Sequence, residues 1–420
     1  MKRLRTLGLL SAGAFVLSAA YALALKDRKA EFAIDDDKGR SISHIVDGDR
    51  GDFSLRDDDR KIKARWRGDF TLDETGNDIA TLERSLEIEI EEDGARETAE
   101  FDEDDGEIER TYYRGDDEQA VGPETDAAIK NLLLRFLRAS GMKADERVAA
   151  IMNSSGAEGV LDEIAVLDSD HARRRYILAL TEAAELSDDG ILRLADELKK
   201  MESDHDLSRA LRSIIEHQTI SETTTPALIA AADSLESDHD TRKVIEAFAE
   251  TPLNDASMTL LLALYESLDS DHDTRVATEA LLESDSLSAD HAARILIAAA
   301  AQIDSNHDMR LVLTEFAPVV VSDEALLEAW LKGFGVLDSS HDQRLAIVSL
   351  IDEGANDANV VAALLNAVKE IDSSHDQRVA LQALADLVGD DETLRAAYRD
   401  AAASIDSESD RERALGAIGE

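Results

Sequence analysis

Two hydrophobic periods divide the chain. From residue 30 to about 120, apolar and polar residues alternate. In "LEIEIEE", Leu86, Ile88 and Ile90 share one face and Glu87, Glu89 and Glu91 the other, the period of a half-buried strand. "KIKARWRGDFTL" alternates as well, with Ile62, Ala64 and Trp66 on one side. Asp93-Gly94 and Asp105-Gly106 stand at hairpin spacing, and "TYYRGD" ends a further strand. The pattern predicts a small antiparallel meander of five to seven strands. "RGD" occurs three times here, at Arg50-Gly51-Asp52, Arg67-Gly68-Asp69 and Arg114-Gly115-Asp116. The triplet resembles the integrin-binding motif of adhesive proteins, but Gly-Asp is ordinary turn chemistry, so turns are expected at all three.

From Pro123 onward the period changes to that of a helix. Val360, Leu364 and Val368 stack at i, i+4 and i+8, with Val361 and Leu365 beside them, which makes a core-facing stripe. The helices repeat. His171, His205, His239, His272, His307, His341 and His375 are spaced 34, 34, 33, 35, 34 and 34 residues apart, and Ser409 lies 34 further on in a degenerate copy. Each unit reads as an apolar helix such as "ASMTLLLALYESL", a "DSDHD" corner, and a shorter helix such as "TRVATEALL". One such hairpin cannot bury its apolar face alone, whereas stacked copies can. Residues 124–153, with "ADERVAAIM" as second helix, read as an N-terminal cap, bringing the count to nine helical pairs. The expected fold is α+β: a small N-terminal antiparallel β-domain over 30–121, then a C-terminal α-solenoid of helical hairpins over 122–420, with a period of about 34 residues.

The corner has a structural reading. Its Ser and Asp are strong N-cap residues, and acids near a helix start meet the positive end of the dipole. In six copies the first acid and an arginine lie six apart: Asp168 and Arg174, Glu236 and Arg242, Asp269 and Arg275, Asp304 and Arg310, Asp338 and Arg344, Asp372 and Arg378. With the seven histidines they are the candidate ladder residues. This spacing resembles HEAT repeats, whose aspartate and arginine form a polar ladder between neighbouring repeats. The resemblance covers about residues 124–420. The period is short for HEAT, the usual first-helix proline is missing, and one copy moves its arginine to Arg209. The array is also similar to helical repeats with "SD-aromatic-D-x-R" corners in uncharacterised exported bacterial proteins. Some of those occur beside antibiotic-sensor metallopeptidase domains, whose motif this sequence lacks.

Composition narrows the function classes. Aromatics are only 4%, which favours helices over a large β-sandwich. The net charge of -46 repels nucleic acid and anionic lipid, and suits a basic partner, cations or a salty medium, besides serving solubility. With no cysteine, disulfides, thiolate metal sites and cysteine nucleophiles are excluded. Lys2, Arg3 and Arg5 precede an apolar run from Leu7 to Leu25, closed by Ala20-Tyr21-Ala22 and Ala22-Leu23-Ala24. Residues 1–24 therefore read as a signal peptide, or as a membrane anchor if uncleaved, and the rest of the chain as exported.

The residues of the corner are compatible with four chemistries. Asp269, Asp271 and Asp273 begin like an EF-hand loop, but Thr274 and Ala280 stand where that loop needs glycine and a bidentate glutamate. Helices pack roughly 10 Å apart and zinc–nitrogen bonds are about 2 Å, so neighbouring histidines cannot share an ion unaided. Histidines beside acids are candidates for a pH-sensing ladder. Ser-His-Asp neighbours recur in the corners, as in Ser373-Ser374-His375-Asp376, but a real triad is assembled by geometry, and no hydrolase or nucleotide-binding motif occurs. The expectation is a non-enzymatic protein-protein interaction scaffold of the bacterial cell envelope. It needs no cofactor, takes a protein partner, basic segments being favoured by charge, and touches membrane only through an uncleaved N-terminus. The alternatives are an exported enzyme or sensor with its site in the β-domain, and a cation-binding structural repeat protein.

Overall fold

The computed structural model describes residues 30–35, 41–57, 59–284 and 287–420; the proposed signal or anchor segment lies outside them. An N-terminal antiparallel sheet is followed by a stack of helices, the α+β order expected. Compact packing divides the chain into a first unit ending at Leu186 and a second over Ser187–Glu420.

In the first unit, one sheet runs in the order β1-β2-β3-β4-β7-β8-β9-β10, every neighbouring pair antiparallel. Its strands are β1 (Ala30–Asp35), β2 (Ser41–Asp47), β3 (Arg50–Asp57), β4 (Arg60–Arg67), β7 (Ser85–Glu92), β8 (Ala95–Asp104), β9 (Glu107–Arg114) and β10 (Asp117–Glu118). Strands β5 (Phe70–Leu72) and β6 (Ile79–Leu82) form a separate hairpin. The region thus holds ten strands among the described residues, more than the five to seven expected. β10 is two exposed acids with no alternation to read, and β5 and β6 are too short to show a period.

The alternating faces sort as their pattern predicts. Ile62 faces Ile90, Ala64 faces Ile88 and Trp66 faces Leu86, all buried, while Lys63 pairs with Glu89 at 2.8 Å on the other face. Asp93, Gly94, Asp105 and Gly106 all have positive φ, the geometry of the tight hairpin turns their sequences announce. Gly68 and Gly115 of the RGD triplets also turn, at φ of 72° and 61°. Gly51 differs. It lies inside β3, where a Cβ would come within 2.0 Å of the Trp66 ring, so close packing and not a turn requires glycine there.

Seventeen helices follow among the described residues. The first unit holds α1 (Pro123–Ser140), α2 (Ala144–Ile164) and α3 (Asp170–Ala183). α1 lays Ile129, Leu132, Leu133, Phe136 and Leu137 on the sheet; the Phe136 ring lies 5.7 Å from that of Phe53 and 6.4 Å from that of Trp66. Fully burying one such side chain contributes about 1.5–3 kcal/mol. Residue 122 therefore marks a change from strand to helix inside one core. α2 is interrupted at Gly156, whose φ of 68° and ψ of -169° are non-helical. Counting its halves separately gives nine helical pairs among the described residues.

The second unit holds seven hairpins: α4 (Asp188–Leu198) with α5 (Asp204–His217), α6 (Thr225–Ala232) with α7 (Asp238–Ala249), α8 (Asp255–Tyr265) with α9 (Asp271–Leu282), α10 (Ala289–Gln302) with α11 (Asn306–Ser322), α12 (Leu327–Phe334) with α13 (Ser340–Asp352), α14 (Ala358–Ala367) with α15 (Ser374–Val388), and α16 (Glu392–Ala403) with α17 (Glu408–Ala417). Second helices pack on second helices all along the series from α5 to α17, and first helices on first helices from α4 to α12. Val360, Val361, Leu364, Leu365 and Val368 are all buried, as their spacing requires.

Candidate functional site: the repeated corner

Each corner begins with a serine N-cap. Ser169, Ser203, Ser237, Ser270, Ser305, Ser339, Ser373 and Ser407 all accept, through Oγ, the backbone N–H three residues on at 3.3 Å. This satisfies one of the orphan donors of the helix start, a contribution of about 0.5–2 kcal/mol per cap. Eight corners thereby share one local geometry.

Two threads then join successive corners in the second unit. In the first, an arginine reaches forward to the next corner. Arg242 Nε donates to Asp273 at 2.6 Å, Arg275 to Asp308 at 2.9 Å, Arg310 to Asp342 at 2.9 Å, Arg344 to Asp376 at 2.8 Å and Arg378 to Asp410 at 3.0 Å. The acceptor is the acid immediately after the histidine position. The first acids, six residues before each arginine, are not the carboxylates these arginines reach. Glu236, Asp269, Asp304, Asp338 and Asp372 are exposed, and in the first unit Asp168 accepts instead from Arg60 of β4 at 3.2 Å. The reason is geometric: the first acid precedes the N-cap and projects to solvent, whereas the acid after the histidine sits on the first helical turn, facing the preceding helix.

The second thread runs through the backbone. The first helical residue of one corner accepts the N–H groups that open the next. Asp204 takes those of Glu236 and Ser237, Asp238 those of Asp269 and Ser270, Asp271 those of Asp304 and Ser305, and Asn306 those of Asp338 and Ser339. Ser340 and Ser374 accept the N–H of Ser373 and Ser407 in the same way. Asp, Asn and Ser are interchangeable at this position because the thread needs only an oxygen acceptor.

The histidines complete the first thread. The Nδ1 atoms of His171, His239, His272, His307, His341 and His375 lie 2.9–3.2 Å from Nη2 of Arg174, Arg242, Arg275, Arg310, Arg344 and Arg378 respectively. A guanidinium can only donate, so Nδ1 is the acceptor wherever this bond forms. His205 makes no such bond among the described residues, because Ser208 stands in the arginine position and Arg209 is one residue displaced. Ser208 instead donates from Oγ to the carbonyl of Asp240 at 3.2 Å.

These bonds set the corner's electrostatics. Burial opposes ionisation of Asp273, but hydrogen bonds from Arg242 and Ser270 outweigh it and hold the carboxyl below its ordinary range. Asp308 and Asp376 are lowered in the same way, against burial, by Ser305 with Arg275 and by Ser373 with Arg344. The calcium-like series of acids is therefore divided among different partners: in one corner Asp271 accepts backbone N–H groups and Asp273 accepts an arginine. The Ser-His-Asp sequence is divided likewise. Ser373 caps a helix, Ser374 accepts from the next corner, and His375 faces Arg378. What the arrangement does chemically is hold helices in register. Sequence reasoning singled out the arginines and histidines and missed the acceptors Asp273, Asp308, Asp342, Asp376 and Asp410.

No known family model matches the chain, and no curated protein or solved structure does either.

Proposed function

We propose that the protein is a non-enzymatic interaction scaffold of the bacterial cell envelope. The observation that carries this reading is how the corner groups are used. Arginine, histidine, serine and the inner acids bond one another between and within repeats. What repeats outward is one exposed acid and one exposed histidine per corner, Glu236, Asp269, Asp304, Asp338 and Asp372 with His239, His272, His307, His341 and His375. A macromolecular partner meets such a surface over several repeats at once. With a net charge of -46 the favoured partner is a protein with basic segments. Export is supported by Lys2, Arg3 and Arg5 ahead of the apolar run Leu7 to Leu25. No helix among the described residues is long and apolar enough to cross a membrane.

The test is capture of a partner from envelope extract with the full chain, then association kinetics with the purified partner. Charge steering acts chiefly on encounter, so the association rate should fall as salt rises while dissociation changes less. A salt-independent association rate removes the electrostatic part of the reading. Reproducible turnover of a hydrolase substrate by the purified chain overturns the scaffold itself.

A further inference from the structure

The first corner differs from those of the second unit in how its backbone is satisfied. Ser237, Ser270, Ser305, Ser339, Ser373 and Ser407 each donate their backbone N–H to an oxygen from the preceding hairpin. Ser169 is also an N-cap and is buried, yet its N–H has no acceptor among the described residues. The hairpin before it opens its second helix with Ala144, which carries no side-chain oxygen. A buried N–H without a partner costs about 1–3 kcal/mol, so it invites one.

A cavity of about 130 Å³ opens beside this serine. Arg60 of β4 and Arg135 and Arg138 of α1 line it, with Leu55 and Val166 as an apolar wall. Val166 is 52% exposed, an unusual state for a large apolar residue in this chain. Arg138 is tied through two hydrogen bonds to buried Glu163, so it lends charge more than contact. Arg60 and Arg135 are held by exposed carboxylates. Asp168 and Asp57 lie beside Arg60, and Glu92 beside Arg135, with side chains 67%, 44% and 47% exposed. Surface pairs of this kind are weak and exchangeable. In an acidic protein, three guanidiniums around a small cavity and an open N–H form the setting for an anion.

We propose that this cavity binds a small organic carboxylate with a short apolar substituent. The carboxylate occupies the place that Asp238 or Asp271 fills in later corners, accepting from Ser169 N–H. It competes with Asp168 for Arg60, takes a second charge-assisted bond from Arg135, and rests its apolar group on Val166. The volume is well below the roughly 300–1,000 Å³ of pockets that enclose a drug-sized ligand, so only such a group fits. The assignment is independent of the scaffold reading.

The test uses the full chain with acetate, propionate and inorganic phosphate as probes. Affinity is read by calorimetry at constant ionic strength and location by the Ser169 amide resonance. Propionate should bind saturably, more tightly than acetate, and shift Ser169. Arg135→Gln and Arg60→Gln should each weaken binding about tenfold, the effect of losing one charge-assisted bond. Asp168→Asn should strengthen it, since it removes the internal competitor, and this gain cannot be mistaken for misfolding. Absence of saturable binding overturns the proposal. So does affinity unchanged in both arginine variants, or phosphate bound more tightly than propionate.

Discussion

Replacing Arg275 with alanine tests the forward-reaching ladder. Its side chain is 15% exposed and that of its acceptor Asp308 is 18% exposed. The change removes the bond to Asp308, the bond to Glu279 one turn along, and the donor facing His272. A hydrogen bond to a charged group contributes about 1.5–3 kcal/mol where its loss strands a buried partner, against about 0.2–1 kcal/mol for an exposed pair. Asp308 keeps its bond from Ser305, so full stranding is avoided, and the expected loss is about 1–2 kcal/mol. A double-mutant cycle assigns it. Arg275→Ala with Asp308→Ala should show coupling of about 1 kcal/mol, whereas Arg275→Ala with Asp269→Ala should add within about 0.3–0.5 kcal/mol. Unfolding should be driven by urea, which leaves ion pairs unscreened, and followed by helical circular dichroism. Coupling to Asp269 as large as to Asp308, or no coupling to Asp308, would refute the assignment.

Three further outcomes are expected. Asp273, Asp308 and Asp376 have folded-state values below those of the unfolded chain, so the unfolded state takes up protons first as pH falls. Their stabilisation is complete above the ordinary carboxyl value, near pH 4, and is lost as pH drops through the lowered folded values. Arg344→Gln should therefore move acid unfolding of the helical signal to higher pH, and an unmoved midpoint counts against the coupling. Ser208→Arg should supply the missing arginine between α5 and α7, opposite Asp240, and raise the urea midpoint; a lower midpoint means that the Ser208 bond to the Asp240 carbonyl is the better arrangement. Gly51→Ala should drive the Trp66 ring out of place and destabilise the sheet by about 1–3 kcal/mol, read by tryptophan fluorescence, with an unchanged spectrum and midpoint contradicting the close packing.

Periodicity carried most of the fold because burial follows it directly. Leu86, Ile88 and Ile90 are buried because alternate residues of a strand share a face, and Val360, Leu364 and Val368 because every fourth residue of a helix does. Elements too short for a period stayed hidden, as with β5, β6 and β10. The RGD triplet predicts a turn at Gly51 because it carries no record of a tryptophan fifteen residues on in sequence and directly across the sheet. The pairing of α1 with the sheet was equally unreadable. An amphipathic stripe tells that a helix buries one face, not whether sheet or helix covers it.

The ladder's direction, by contrast, was written in its irregular copies. A bond within one copy would have its acid and arginine lost together. The copies show the opposite. The His171 corner keeps Arg174 but has Ala172 where the other corners place the acceptor acid. The Ser409 corner keeps the acceptor Asp410 but has Glu412 where the arginine belongs, and Ser409 where the histidine belongs. Both histidine and arginine are absent there, and the acid survives without them, because Asp410 still receives Arg378 from the preceding copy. Within the second unit the Ser409 corner thus accepts from the copy before it without offering an arginine of its own. The same logic explains Ser208, the one interior loss: with no arginine there, Asp240 has no forward-reaching partner among the described residues, and the spine has its gap between α5 and α7.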